Sequence, residues 1–158
     1  MNLPCLAGTA KSWPEFEGTV ERLHWMAQLS SMPPWRITEE FGPELAQAPD
    51  LTVVSTFAQN RTRALPVRVD PATVRLKLKS GQALTPLTPE EVRRWAQAAG
   101  ATIPNVQILE PIEAKTGERR FAAAVFRLPP GAETSSAEAE MVVDLGPDGK
   151  IPVKARFF

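Results

Sequence analysis

At 158 residues the chain has room for one ordinary domain with a real core, and too little for two comfortable ones. Its 18 basic and 18 acidic side chains cancel, which excludes a whole-molecule field that would draw it to nucleic acid and leaves local patches such as Arg61, Arg63, Arg68 and Arg75. With 43% apolar and 23% charged residues it reads as soluble and globular, and no run approaches the roughly 20 apolar residues of a membrane-spanning helix.

The first dozen residues read as an arm, small and mixed in character. Residues 1–8 lack the basic start and long apolar core of a signal peptide. The stretch Leu3-Pro4-Cys5-Leu6-Ala7-Gly8 nevertheless resembles the surroundings of a lipoprotein's acylated cysteine, with Pro4 where a small residue is usual and Asn2 where leucine is. One cysteine makes no internal disulfide, so Cys5 is read first as a free thiol, with a lipid anchor as its alternative.

Two periods compete over residues 13–31. Ser12 and Glu15 have the spacing of a capping box, and Phe16, Val20, Leu23 and Ala27 follow at helical spacing. Leu23, Trp25, Ala27 and Leu29 also alternate as a strand would, and Gly18 is a poor helix residue. The helix is favoured. Met32-Pro33-Pro34-Trp35 must stop either element, because Pro34 forces Pro33 into an extended conformation. One helical turn is expected within residues 37–48, interrupted by Gly42 and Pro43, and Pro49-Asp50 opens the sheet region.

Residues 51–81 hold three alternating runs. Leu51, Val53, Ser55 and Phe57 lead to turn-prone Asn60; Leu65, Val67 and Val69 follow; Val74, Leu76 and Leu78 then alternate with Arg75, Lys77 and Lys79. A period of two predicts an antiparallel sheet with one buried face, its cations outward. Next comes a capped helix over 89–99, with Thr88 as N-cap, Pro89 at the first position, Glu91 completing a capping box and Gly100 ending it. Further strands are expected at 106–112, 121–128, 139–145 and 151–158, the last two joined by the Pro147-Asp148-Gly149 turn. Roughly six to eight short strands and one inserted helix point to a mostly β fold, an antiparallel β-sandwich. The expected division is an N-terminal arm or subdomain over 1–50 and a sandwich over 51–158.

The run Thr56-Phe57-Ala58-Gln59-Asn60-Arg61-Thr62, then Pro66-Val67-Arg68-Val69, then Val74 to Gly81, and finally Phe126-Arg127-Leu128-Pro129 resembles the strand pattern of bacterial immunoglobulin-like domains. In those domains a strand ends in an Asn-plus-Ser/Thr turn and the next carries Pro-Val-x-Val. The resemblance covers residues 51–158; the helix at 89–99 and the N-terminal segment depart from it. It implies a non-catalytic accessory or protein-binding domain of a secreted or lipid-anchored envelope protein, periplasmic if a leader precedes this chain and cytoplasmic otherwise.

Chemistry-bearing constellations are sparse. His24 is the single histidine, and a nucleophile would need it beside a Ser or Cys and an orienting group. Asp144 and Asp148 read as flanking a solvated turn, and the pairs Glu39-Glu40, Glu90-Glu91 and Glu138 with Glu140 lack the disposition of paired catalytic acids. No catalytic, metal or cofactor residue is assigned, and no cofactor is expected. Trp13, Trp25, Trp35 and Trp95 with no tyrosine are read first as a small aromatic core. The sharper reading makes Met32-Pro33-Pro34-Trp35-Arg36 a stiff exposed segment gripped by a partner protein, with Arg75 and Lys77 as a second docking surface. A structural subunit using residues 1–50 as a docking arm is the alternative, and a small hydrolase using acidic residues is third. The terminal Phe157-Phe158 is read as a last sandwich strand, since an outer-membrane barrel needs at least eight long strands.

Overall fold

The computed structural model describes residues 13–103, 106–132 and 137–157. Cys5, Ser12 and Phe158, named above, lie outside the described residues. The elements are β1 (Phe16–Glu21), β2 (Trp25–Ser31), α1 (Pro34–Phe41), α2 (Pro43–Gln47), β3 (Leu51–Asn60), β4 (Val67–Val69), β5 (Arg75–Lys77), β6 (Ala83–Leu84), α3 (Pro89–Ala99), β7 (Ile112–Ala114), β8 (Arg119–Arg127), β9 (Glu138–Asp144) and β10 (Lys150–Phe157). The fold is mostly β and antiparallel. One 10-stranded sheet runs β6-β5-β9-β10-β1-β2-β3-β8, with β4 laid against β9 and β7, and it curls into a nearly barrel-shaped body.

The curl turns at β10. Residues 150–155 of β10 pair with β9, whereas Arg156 and Phe157 pair with Glu17 and Phe16 of β1. One strand thus serves both layers, a device by which sheets turn corners. At the crossing, a Cβ on Gly18 would fall 2.0 Å from the Lys154 carbonyl oxygen and 2.8 Å from the Ala155 Cα. Hydrogen alone fits there, which is the meaning of a glycine inside this strand. At the open ends of the path, the Leu87 N–H donates to the Val125 carbonyl at 2.7 Å, tying the segment after β6 to β8. Pro86 has no N–H to extend that pairing.

Two apolar clusters sit on the two faces of β3 and β8. The inner one gathers Phe16, Trp25, Leu29, Phe126, Met141 and Val153 inside the curl. The outer one packs Ile37, Phe41, Leu45 and Val92 from the helices onto Val53 and Val125. The one-faced burial expected for 51–57 is therefore corrected: Leu51 to Thr56 are all buried, because helices cover the second face. The same cover explains the apolar run of β8, which is buried from Ala122 to Phe126.

The helix favoured over 13–31 is also corrected. Those residues form the β1–β2 hairpin, with Phe16, Trp25, Ala27 and Leu29 buried and Leu23 exposed in its turn. Both strands lie in the same sheet as the later ones, between β10 and β3. At 106–109 a 3-10 turn replaces the expected strand, burying Ile108 and Leu109 in the outer cluster, and the strand begins at Ile112. Residues 37–48 hold more helix than one turn: Pro34 begins α1, and Gly42, at φ 94°, separates it from α2. Helix α3 and the β9–β10 hairpin lie where the sequence puts them. In α3 the Thr88 hydroxyl accepts from the Glu91 N–H at 3.1 Å and the Glu91 carboxylate from the Thr88 N–H at 2.9 Å. Donation to its carboxylate from the Thr88 backbone N–H foremost, and from the Thr88 side chain next, holds the Glu91 pKa below its ordinary value.

Asn60 closes the far end of the curl. Its buried side chain donates to the carbonyls of Leu65 and Ala114 at 3.0 and 3.1 Å and accepts from the Arg63 N–H at 2.9 Å. Its backbone N–H donates to Glu118, and its carbonyl accepts from Gly117. Three segments (the loop after β3, the end of β7 and the turn before β8) thus converge on one amide. Asn60→Asp keeps the shape but sets a carboxylate against two buried carbonyls. The expected loss is about 3 kcal/mol, read as a lowered urea midpoint with an unchanged slope.

Candidate functional site

The cations proposed from sequence as a local patch are mostly engaged. Arg61 pairs with Glu21 at 2.7 Å, Arg63 with Asp148 at 2.5 Å and Arg68 with Glu113 at 3.0 Å. Arg75 turns back to donate to the carbonyls of Ala72 and Val74. On the outer face of the sheet, charges alternate strand by strand. Arg75 faces Glu140 and Lys77 faces Glu138 across β5 and β9; Lys150 faces Asp144 across β9 and β10; Arg156 faces Glu17 across β10 and β1. Direct opposition of unlike charges stabilises a sheet by a few tenths of a kcal/mol per pair. This is a sufficient structural role for Arg75 and Lys77.

Trp35 and Arg36 lie elsewhere, on α1 over the opposite end of the strand path. The paired prolines set this up: Pro33 is the extended N-cap, Pro34 opens the helix, and Ile37 and Phe41 bury the face that anchors it. That turns Trp35 outward, 66% exposed. Trp25, by contrast, belongs to the inner core, and Trp95 packs on the outer one. The Arg36 guanidinium sits 5.5 Å from the centroid of the Phe121 ring, within cation–π range. Phe121, 51% exposed at the start of β8, in turn meets Phe57 at 4.9 Å between centroids.

Beside this stack a cleft of about 520 Å³ opens between α1 and β8, lined by Arg36, Glu40, Ile108, Arg119, Arg120 and Phe121 among others. Arg119 and Arg120 face neutral partners across the ladder, Gln59 and Ala58. Arg120 reaches its neighbour Glu118 at 2.9 Å, whereas no carboxylate among the described residues pairs with Arg36 or Arg119. Here, unlike on β5 and β10, two cations, Arg36 and Arg119, have no carboxylate paired with them among the described residues.

The sequence singles out Trp35 and Arg36 but not Phe121, Arg119 and Arg120, which the structure brings beside Arg36. The signal was present: two adjacent arginines followed by phenylalanine open a strand that is apolar from Ala122 to Phe126. The structure does not bring Arg75 and Lys77 to this site; they line a separate cleft with Glu138 and Glu140. It also keeps the acidic-hydrolase residues apart. His24 sits on an exposed turn with Nδ1 2.5 Å from the Thr62 hydroxyl, Glu40 lines the α1–β8 cleft, and Asp144 lines another, where it accepts from the Gly146 N–H. Among the described residues no three His, Cys, Asp or Glu side chains cluster as a metal site would require. No helix of the described residues is long and apolar enough to cross a membrane. No protein-family model, curated protein or solved structure matches the chain.

The two cationic surfaces are expected to respond differently to charge reversal. Lys77→Glu sets a carboxylate directly opposite Glu138 and should cost roughly 0.5–1 kcal/mol in urea titration. Arg119→Glu, opposite Gln59, should stay within about 0.5 kcal/mol of the parent. Equal losses would remove the distinction.

Proposed function

We propose that this chain is a non-catalytic accessory domain that binds another protein through the face formed by α1 and the start of β8. The observation that carries the reading is the Arg36–Phe121 cation–π contact at the start of β8 together with exposed Trp35, which precedes Arg36 on α1 above the outer cluster. Aromatic and arginine side chains dominate binding energy at protein interfaces. Trp35 and Phe121 are two of the four large apolar side chains left exposed among the described residues. The proline pair fixes the approach to α1 before any partner arrives, which lowers the ordering cost of docking. The finer assignment, an immunoglobulin-like sandwich of the extracytoplasmic kind, rests on the strand pattern of residues 56–81 and 126–129 and on the inner core packed between two layers.

The test uses the intact chain as bait in extract of its own cells, followed by titration with the purified captured protein. Trp35→Ala and Phe121→Ala are each expected to weaken binding at least roughly 10-fold, about 1.4 kcal/mol, while leaving the unfolding midpoint nearly unchanged. Affinity unchanged in both variants would contradict the reading.

A further inference from the structure

The partner's chemistry can be read from the cleft, on the premise that the α1–β8 face is the docking surface. Arg36, Arg119 and Arg120 are among its lining residues, Arg120 with its guanidinium paired to Glu118, and Glu40 is the one lining carboxylate. The pattern elsewhere makes this excess informative. Over β5, β9, β10 and β1, every paired cation meets a carboxylate directly across the ladder. A chain of zero net charge that matches its cations on one side and gathers unmatched ones on another has a localised positive potential, not a diffuse one. Arg36 is pre-oriented by its ring contact with Phe121, so little side-chain freedom remains to be lost on binding.

The floor between the arginines is apolar. Ile108 is buried, Ile112 is half-buried, and Phe121 presents half of its surface. We infer that this cleft takes an acidic segment of the partner protein, with carboxylates on Arg36 and Arg119 and a neighbouring apolar side chain against Phe121 and Ile112. Arginine binds carboxylates through paired N–H donors, which fixes orientation as well as charge. A nucleic-acid backbone fits the same features less well. It presents a line of phosphates with no apolar side chain for the floor, and its affinity comes from many phosphate contacts spread along a basic track. The neutral chain lacks such a track.

The experiment is selection of a displayed random-peptide library on the intact chain, counter-selected against a Trp35→Ala/Phe121→Ala variant. Retained peptides are expected to carry Asp or Glu beside an apolar residue. Their affinity should fall about 10-fold on Arg36→Gln/Arg119→Gln and fall again as salt is raised. The double variant is checked first for an unchanged unfolding midpoint, and Arg119→Gln alone serves if that midpoint moves. Retained peptides of neutral or basic composition, or affinity indifferent to the arginines, would overturn the acidic-segment inference while leaving the docking face standing. Failure to retain any peptide that distinguishes the parent from the aromatic variant would overturn both. Arginine-dependent binding of a fluorescent oligonucleotide or of phosphatidylglycerol vesicles in preference to the peptides would assign the cleft to phosphate and likewise overturn the inference.

Discussion

The fold depends on the contact between Gly18 and the β10 backbone. With any side chain at that position, the Lys154 carbonyl would have to retreat. Only when β1 and β10 approach this closely can β10 leave β1 after two paired residues and continue along β9. The inner cluster then has two walls, one carrying Phe16, Trp25 and Phe126 and the other Met141 and Val153. Because β1 and β10 lie near opposite ends of the chain, this corner joins the most distant parts of the sequence. Losing it would separate the layers rather than fray one edge.

The outer face follows from the same closure. With one side of β3 and β8 facing the curl, their other side is free for α1, α2 and α3, and it is this second burial that covers both faces of the strands from Leu51 to Thr56 and from Ala122 to Phe126. The proposed docking surface is a by-product of that arrangement: α1 is anchored by Ile37 and Phe41, and exposed Trp35 and Arg36 over the Phe121 ring lie beside the start of β8. The open edge of β8 is meanwhile engaged at Val125, whose carbonyl accepts from the Leu87 N–H. A partner therefore meets side chains at this face more readily than it adds a strand.

Features encoded locally were legible in the sequence. Thr88, Pro89, Glu91 and Gly100 specify α3 within a dozen residues, and Asp148-Gly149 specifies its hairpin in fewer. What was not legible depended on distant partners. Phe16, Val20, Leu23 and Ala27 imitate a helical stripe, and Gly18 declares its purpose only when Lys154 lies against it. Ile108 looks like a strand residue until the outer cluster claims it. At the candidate site, the proline pair announced an exposed Trp35, but nothing near Phe121 in sequence says that Arg36 will settle over its ring. Arg75 and Lys77 showed the opposite: their exposure was legible, whereas Glu138 and Glu140 opposite them came from a segment more than sixty residues away.

The most direct measurement is the unfolding free energy of Gly18→Ala beside Thr19→Ala, its exposed neighbour on the same strand. The account expects Gly18→Ala to lose about 3 kcal/mol, with amide exchange accelerated in both layers, and Thr19→Ala to stay within about 0.5 kcal/mol of the parent. A Gly18→Ala protein as stable as the parent would contradict the corner, and with it the closed arrangement on which the core and the proposed docking face both rest.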